Sequence, residues 1–330
     1  MLAFQVTETG QPPTLCQIDR PEPAPGEVRI RIIACGLNFA DLLQIDGRYQ
    51  ERATPPFTLG MEVAGIVDAT GPGVVGPVPG CRVAVLATHG GLAEYVCAPA
   101  DRCLRLPDHM GYEAAAAFQI AYATSHVALH RRAALKAGET LLVTGAAGGV
   151  GLTAVELGKL MGARVIAVAR GVEKLAVAQK AGADHLIDSD LVNAPDDLKA
   201  ALKALGGVDV AYETIGGDMF NAALGAMRPE GRLLTIGFAG GTVPQIPANI
   251  LLVKNISVIG FYVGGYAGFA PGVMTDSIAA LLDLCAKGRL HPHASHVLPL
   301  SRAAEALDLL RARRSTGKVV VRCDQPEPAA

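Results

Sequence analysis

The sequence predicts an α/β protein of two domains, one built on a doubly wound parallel sheet and the other rich in β-strands. The chain has 330 residues, of which 50% are hydrophobic and 38 are glycine, which suits two packed cores. From about residue 114 to residue 254, predicted strands and helices alternate, as in a parallel sheet with helices on both faces. The first hundred residues instead carry short apolar runs separated by Pro and Gly, which indicates a β-rich domain.

The β-rich part contains three clear strand candidates, the stretches EVRIRIIACG, EVAGIVDATG and CRVAVLAT. A small helix is predicted at residues 38–44. Towards the end of the chain, KVVVRC predicts a final strand that rejoins the N-terminal sheet, HPHASHVLPL predicts a surface turn, and DQPEPAA predicts a loose tail.

The alternating part contains six predicted strands, at residues 141–144, 165–169, 185–187, 208–213, 232–236 and 256–260. Two further helices are predicted after these strands, at residues 276–287 and 301–311. The change from short apolar runs to helical spacing marks each boundary between strand and helix.

A glycine-rich corner lies in the stretch GETLLVTGAAGGVGLTAVELGKLMGARVIAVAR. Gly145, Gly148 and Gly151 follow an apolar strand and lead directly into a helix. The first turn of a helix presents unpaired N–H groups and a positive dipole end, which attract phosphate where no side chain intervenes. The strand after this helix completes a β-α-β unit, so the corner predicts a dinucleotide site. A tight turn without a ligand would show the same glycines.

The second strand of this unit indicates which dinucleotide is bound. An acidic residue at its end would accept hydrogen bonds from the adenosine ribose and repel a 2′-phosphate. Here the strand ends in VARGVEK, and Arg170 and Lys174 can pair with a phosphate dianion. Glu173 weakens this positive field. We therefore predict NADPH in preference to NADH.

Charge, cysteine usage and the N-terminus exclude several classes of function. The net charge is −2 with no basic block, so neither nucleic acid nor an acidic membrane surface is expected as a partner. The start MLAFQVTETG does not resemble a signal peptide, and we expect a cytoplasmic protein. The seven scattered cysteines form no C-x-x-C motif and are expected to be free thiols.

Over almost its whole length the chain resembles the medium-chain dehydrogenase/reductase superfamily, in the quinone oxidoreductase branch that includes zeta-crystallin. The resemblance is carried by ACGLNFADLLQIDGRY, TLGMEVAGIV, GGLAEYVCAP, the glycine-corner stretch and KAGADHLID. It implies a GroES-like catalytic domain from residues 1–118 and 261–330. This domain would enclose a Rossmann domain at residues 119–260, with NADPH in the cleft between the two.

Within that superfamily the sequence favours the zinc-free enzymes. Cys35 stands where a first zinc ligand would be, but Met61 replaces the histidine of the zinc enzymes, and methionine is a poor zinc ligand. The four-cysteine lobe of the structural zinc is missing. His291, His293 and His296 are interpreted as solvated turn residues. We therefore expect no metal.

Without a metal, the expected reaction is hydride transfer from NADPH to a quinone or a related electron-poor carbonyl compound. An enoyl or 2-alkenal reductase, and a nucleotide-binding protein with little catalysis, remain alternatives. By resemblance, Asn38 and Tyr49 line the nicotinamide side of the cleft, where we expect them to donate hydrogen bonds to a substrate carbonyl. The family's cofactor contacts correspond to Phe39, Asp41, Thr124, Ala147, Gly148, Gly149, Val150, Gly151, Arg170, Lys174, Gly237, Phe238, Gly240, Phe261 and Tyr262. Ser189 departs from the tyrosine with which many relatives cover the 2′-phosphate.

The stretch KNISVIGFYVGG predicts a homodimer. Ile256, Val258 and Ile259 form an apolar strand at the end of the predicted sheet, and an uncovered apolar edge favours association. The relatives it resembles pair this strand with its copy across a two-fold axis. A tetramer remains an alternative.

Overall fold

The computed structural model describes residues 1–192 and 194–324. The chain divides into two compact units. The first unit comprises Met1–Ile120 together with the chain from His291 onwards, and the second unit comprises Ala121–Leu290. Most of the predicted tail, residues 325–330, lies outside the described residues.

The strands of the described chain are given in sequence order: β1 (Leu2–Val6), β2 (Thr14–Gln17), β3 (Glu27–Gly36), β4 (Phe57–Thr58), β5 (Glu62–Thr70), β6 (Arg82–Leu86), β7 (Tyr95–Pro99), β8 (Leu104–Arg105), β9 (Thr140–Thr144), β10 (Arg164–Ala169), β11 (His185–Asp188), β12 (Val208–Glu213), β13 (Met227–Thr235), β14 (Ser257–Gly260), β15 (Ala294–Pro299) and β16 (Lys318–Arg322).

The α-helices of the described chain follow in the same order: α1 (Phe39–Ile45), α2 (Tyr112–Ala116), α3 (Gln119–His126), α4 (Gly149–Leu160), α5 (Gly171–Lys180), α6 (Pro195–Ala204), α7 (Gly217–Ala226), α8 (Ala248–Lys254), α9 (Tyr266–Phe269), α10 (Pro271–Ala286) and α11 (Ala303–Arg311). A π-helical turn, Val127–Arg132, continues α3, and short 3₁₀ turns lie at Ser189–Leu191 and Leu300–Arg302.

The first unit is built on antiparallel sheets around β3. This strand pairs with β5 along most of its length. Its first residues also pair with β7, and its last residues pair with β16. Val321 of β16 lies opposite Cys35 of β3, which confirms the prediction that the last strand rejoins the N-terminal sheet. Alternating apolar residues such as Ile30, Ile32 and Val63 fill the core of this unit.

One prediction in this unit was wrong. Residues 294–299 of the stretch HPHASHVLPL form strand β15 instead of a turn, paired in parallel with β16. Strand β16 supplies the backbone hydrogen bonds that make these residues a strand, and the sequence of the stretch itself does not indicate this pairing. His296 lies on this strand opposite Val319, whereas His293 is exposed and contacts the Thr316 hydroxyl through Nε2 at 3.0 Å.

The second unit contains a six-stranded parallel sheet in the order β11-β10-β9-β12-β13-β14. This order confirms the predicted doubly wound sheet. The chain runs outward from β9 in one direction and then returns to β12 on its other side, so the order reverses between these two strands. In open parallel sheets, ligands bind outside the carboxyl ends of the strands at such a reversal.

Residues 261–290 belong to the second unit, although the sequence analysis expected them in the return segment of the catalytic domain. Their main element, α10, lies against α3 and the π-helical turn. His126 Nδ1 and the Ser277 hydroxyl approach to 2.8 Å at this contact. Helix packing of this kind is not visible in the local pattern of the sequence.

None of the helices in the described ranges is both long enough and apolar enough to cross a bilayer.

Candidate functional site

The glycine corner lies at the carboxyl end of β9, where α4 begins. Gly145 has φ of +61°, which a residue with a side chain rarely adopts. A Cβ on Gly151 would lie 2.1 Å from the Gly145 carbonyl oxygen, so helix and corner touch through their backbones. The N-cap residue of α4 is Gly148, and no side chain of the described residues forms a capping hydrogen bond at this end of the helix. The corner therefore leaves the N-terminus of α4 open to a phosphate group.

A buried carboxylate, Glu213, holds this corner in place from the end of β12. It accepts a hydrogen bond from the Thr144 hydroxyl at 3.0 Å. It also accepts the backbone N–H groups of Ile215 and Gly216, each at 2.9 Å. Burial raises the pKa of Glu213, and these three donors offset part of that effect. Glu213 was not predicted as a site residue, although Thr144 and Glu213 end two predicted strands.

The loop after β13 forms a second wall beside the corner. The Ile236 N–H donates to the Glu213 carbonyl at 2.9 Å, and the Gly240 N–H donates to the Ile215 carbonyl at 2.8 Å. A Cβ on Gly240 would lie 2.7 Å from that carbonyl, so the glycine permits the close approach. Phe238, between them, is 39% exposed, and Gly237 precedes it. The predicted residues of this loop therefore lie at the same edge of the sheet as the corner.

Helix α3 is fixed to the first turn of α4 by buried hydroxyl groups. The Ser125 hydroxyl donates to the Val150 carbonyl at 2.9 Å and lies 2.8 Å from the Thr153 hydroxyl. The Tyr212 hydroxyl of β12 lies 3.1 Å from the same Ser125 oxygen. Thr124, a predicted cofactor contact, is buried on this helix. These bonds hold the helix that carries Thr124 against the first turn of α4.

The predicted 2′-phosphate residues follow β10. Arg170 precedes α5 and forms an exposed ion pair with Asp190, Nε to Oδ1 3.2 Å. Asp188 ends the neighbouring strand β11 and accepts the Gly171 N–H at 2.9 Å and the Asp190 N–H at 3.0 Å. These N–H groups lower the pKa of Asp188. Lys174 lies one turn into α5 and is half-buried. Asp188 and Asp190 were not predicted as site residues. The position of Asp188 could have been inferred, because it and Ala169 end adjacent parallel strands.

Phe261 and Tyr262 follow β14 at the same end of the sheet. The Phe261 N–H donates to the Thr235 carbonyl at 3.2 Å, and its ring is nearly buried beside Tyr266 at a centroid distance of 5.8 Å. Tyr262 is half-buried. The carboxyl ends of β9, β10, β13 and β14 thus carry most of the predicted cofactor residues.

In the first unit, Asn38 is the N-cap of α1. Its backbone N–H donates to Asp41 Oδ2 at 2.7 Å. Asp41 is fully buried, and this burial raises its pKa to about 6. Asp41 was predicted as a cofactor contact. The structure instead gives its carboxylate to the start of α1, with no surface exposed to a ligand.

The Asn38 side chain joins a buried ion pair that the sequence analysis missed. Lys318 Nζ lies 2.9 Å from Glu62 Oε2, and both side chains are buried. The Lys318 ammonium also donates to Asn38 Oδ1 at 2.6 Å. Asn38 Nδ2 donates to Glu62 Oε2 and to the Gly36 carbonyl, each at 3.3 Å. The predicted donor group of Asn38 is therefore already in contact with two acceptors, over long hydrogen bonds.

Tyr49 and Phe39 lie on accessible parts of the first unit. Phe39 is 42% exposed on the first turn of α1. Tyr49 is half-buried and lines a surface pocket together with Gln44 and Arg52. Phe39 and Phe238 are thus both among the exposed large apolar side chains of the described residues.

The side chains around Cys35 do not fit a metal ion. Cys35 is fully buried, and this burial raises the pKa of its thiol well above its usual range. Both oxygens of Glu62 accept hydrogen bonds, from Lys318, Asn38 and the Ile120 N–H. Across residues 1–192 and 194–324, no three His, Cys, Asp or Glu side chains are arranged to hold a metal.

Comparison with known proteins gives two matching protein families. The family described as "Alcohol dehydrogenase GroES-like domain" matches residues 24–108, and the one described as "Zinc-binding dehydrogenase" matches residues 149–286. Quinone oxidoreductase-like protein 2 of Bos taurus is 39% identical over 301 residues, covering 90% of this chain and 85% of the bovine protein.

Two solved structures resemble the whole chain. The quinone oxidoreductase from Thermus thermophilus, solved also in complex with NADPH, has a TM-score of 0.85 at 35% identity. That match covers 98% of this chain and 100% of the other. The CurK enoyl reductase has a TM-score of 0.86 at 25% identity, and the match covers 97% of this chain and 98% of the other.

Proposed function

The chain belongs to the medium-chain dehydrogenase/reductase superfamily, in its quinone oxidoreductase branch, and we propose that it is an NADPH-dependent reductase of quinones or related electron-poor carbonyl compounds. The observation that carries this proposal is the open glycine corner at the start of α4. A backbone contact at Gly151 and the missing side-chain cap leave room there for a diphosphate.

The second unit is proposed as the cofactor domain. NADPH supplies a hydride when bound. The backbone N–H groups at the start of α4 bind its diphosphate, and Arg170 and Lys174 bind its 2′-phosphate. The residues at the ends of β13 and β14 form a further wall. The NADPH complex of the Thermus relative supports this assignment.

The first unit is proposed as the catalytic domain. Its acceptor contacts are Asn38 and Tyr49, whose amide and hydroxyl groups donate hydrogen bonds to the carbonyl oxygen of the acceptor. Negative charge would develop on that oxygen during the reduction, and donors placed near it would stabilise the transition state. The Nδ2 bonds of Asn38 are long, so a carbonyl oxygen can replace one of them at small cost.

The reaction is proposed to need no metal. One matching family is named for zinc binding, but Met61 stands beside a Glu62 whose oxygens already accept hydrogen bonds from Lys318, Asn38 and Ile120. Elemental analysis of active protein should find zinc far below one atom per chain, and chelators should leave the rate unchanged. Stoichiometric zinc that is lost together with activity would contradict this proposal.

A second candidate function is an enoyl or 2-alkenal reductase. It is supported by the similarity to the CurK enoyl reductase, and the cofactor residues proposed above would serve this reaction equally. Both reactions deliver hydride to an acceptor conjugated to a carbonyl group, so Asn38 and Tyr49 would have the same role in each.

A panel of acceptors separates these functions. Purified protein is mixed with NADPH and a quinone, an enal or an enoyl thioester, and the loss of NADPH absorbance is followed. We expect the highest kcat/KM with a quinone. A higher value with the enal or the thioester would replace the proposal by the second candidate. Tight NADPH binding without turnover of any acceptor would indicate a nucleotide-binding protein instead.

A further inference from the structure

The first unit contains a buried ion pair between Lys318 and Glu62. Lys318 is 4% exposed and Glu62 is 0% exposed, with Nζ and Oε2 2.9 Å apart. Removing two charges from water is costly, and apolar residues of similar volume often stabilise a fold as well or better. Stability alone is therefore a weak reason for this pair.

The pair determines how the Asn38 amide is oriented. A lysine ammonium can only donate hydrogen bonds, and an ionised carboxylate can only accept them. The amide oxygen must then face Lys318, at 2.6 Å, and the amide nitrogen must face Glu62, at 3.3 Å. An asparagine between two neutral partners could turn over, but between these two charges it has one favoured orientation.

The main chain of Asn38 is fixed as well. Its N–H donates to Asp41 Oδ2 at 2.7 Å, and α1 begins at the next residue. Phe39 is among the exposed large apolar residues, and Asn38 itself is partly exposed. The charged pair is thus buried behind an amide that lies at the accessible surface of the first unit.

Lys318 also changes the chemistry of the amide. A cation that donates to Oδ1 withdraws electron density and makes the Nδ2–H groups stronger donors, since bonds in a chain polarise one another. The short bond is to Lys318 and the long bonds are those of Nδ2. The Asn38 amide oxygen is therefore held firmly by Lys318. The longer hydrogen bonds from Nδ2 can more easily be replaced by a bond to another acceptor.

We propose that Lys318 and Glu62 are positioning residues for the reduction, which orient and polarise the Asn38 amide so that Nδ2–H can donate to the carbonyl oxygen of the acceptor. This inference rests on the proposed function of the chain as a reductase. Lys318 and Glu62 act through Asn38 and need not touch the substrate. The developing negative charge on the acceptor oxygen is stabilised by the amide proton and by the cation behind it.

A double-mutant cycle tests this role. N38A, K318M and N38A/K318M are compared with the wild type for kcat, for the KM of the best acceptor and for the KM of NADPH. Each single variant should lower kcat about tenfold, and the double variant should stay within about twofold of N38A. The KM for NADPH should not change. K318R, which keeps the cation, should retain more activity than K318M.

Two controls separate positioning from general damage. K318M leaves the Glu62 carboxylate buried without its cation, so the cycle is repeated with E62Q/K318M, in which both partners are neutral. K287M removes an exposed lysine from its pair with Asp283 and should be as active as the wild type. Losses that multiply in the double variant, or an NADPH KM that rises in proportion, would overturn the proposal in favour of a structural role.

A structural measurement decides the matter even if the wild type reduces no acceptor, an outcome that would count against the proposed function alone. In a crystal structure of E62Q/K318M, the Asn38 amide should be turned or displaced, while α1 keeps its bond from Asn38 N–H to Asp41. An Asn38 side chain in the same orientation and with the same mobility as in the wild type would show that the pair does not position it.

Discussion

At the scale of single residues, the glycine corner leaves no space for one methyl group. An alanine at position 151 would place its Cβ 2.1 Å from the Gly145 carbonyl oxygen and 2.8 Å from the carbonyl carbon. Backbone atoms cannot move aside as a flexible side chain does. The helix would have to shift from the corner, which would also move the N–H groups proposed to bind the diphosphate.

Gly151→Ala should therefore weaken NADPH binding at least about tenfold and destabilise the fold by about 1–3 kcal/mol. The increase in NADPH fluorescence on binding measures the first effect, and urea unfolding measures the second. Gly272→Ala is the matched control, because a Cβ there meets no atom within 4 Å and its φ is not positive. Equal affinity in both variants would contradict the proposed cradle.

Asp41 gives a second prediction, on pH. Its pKa rises from 3.8 to about 6, which at about 1.4 kcal/mol per unit corresponds to about 3 kcal/mol. Because the folded-state pKa is raised, the carboxyl contributes its full stability only below its unfolded pKa. That contribution is lost as the pH rises through about 6.

Asp41→Asn cannot ionise, so its stability relative to the wild type should increase between pH 4 and pH 7, by up to about 3 kcal/mol. Urea unfolding of both proteins across this range measures the difference, with the exposed Asp101→Asn as the control. A difference that stays constant with pH would show that Asp41 is not buried in the way described.

The residues that the sequence indicated and those that it did not differ in a physical way. Asn38 and the corner glycines stand in local patterns, a helix start and a strand-to-helix turn. Lys318 and Glu62 are 256 positions apart and meet only because β16 rejoins β3. Lys318 could be recognised in the sequence as a charged residue at the start of the apolar run KVVVRC. Its neighbours in the sequence do not indicate that Glu62 is its partner.

At the scale of elements, the end of β10 and the end of β11 together form the proposed 2′-phosphate region. Arg170 there is paired with Asp190, and both side chains are more than half exposed, so the pair is weak. If Arg170 binds the 2′-phosphate as proposed, the phosphate dianion would compete with Asp190 for Arg170 and would be repelled by Asp190. We therefore expect Asp190 to moderate the preference for NADPH.

Asp190→Asn should lower the KM for NADPH about two- to fivefold and leave that for NADH nearly unchanged. Lys174→Ala should raise the KM for NADPH alone. Steady-state rates with both cofactors measure these effects, and the exposed Asp196→Asn serves as the control. Parallel changes for NADPH and NADH would argue against a 2′-phosphate role for this region.

Most elements of the parallel sheet were predicted to within a few residues, because each is a short apolar run closed by a glycine or a polar turn. The stretch HPHASHVLPL gave a wrong prediction, since β15 owes its strand conformation to pairing with β16 and not to its own pattern. The grouping of α10 with the second unit likewise depends on tertiary contacts such as that of His126 with Ser277.

At the scale of the whole molecule, β14 is the outer strand of the six-stranded sheet, as predicted. The helix that leads into it, α8, exposes Leu252 and Val253, at 77% and 73%. An apolar edge strand beside exposed apolar side chains favours association with a second copy. We therefore propose a homodimer that pairs β14 with its copy across a two-fold axis.

Light scattering at micromolar concentration should give twice the chain mass of 34.1 kDa. Val253→Lys should shift the protein towards monomer or insoluble material. Val75→Lys, at a residue of the first unit that is 97% exposed, should not. A wild-type mass of one chain would refute the homodimer, and a mass of four chains would favour the tetramer.

The most direct test of a metal-free NADPH reductase measures hydride transfer from NADPH by protein freed of metal. The protein is dialysed against a chelator, its zinc content is determined, and NADPH oxidation is followed anaerobically with a quinone, with Gly151→Ala as the background. We expect quinone-dependent oxidation at the undialysed rate, faster with NADPH than with NADH, and close to background in the variant. No NADPH oxidation with any quinone, enal or enoyl thioester, or a rate restored only by adding zinc, would contradict it.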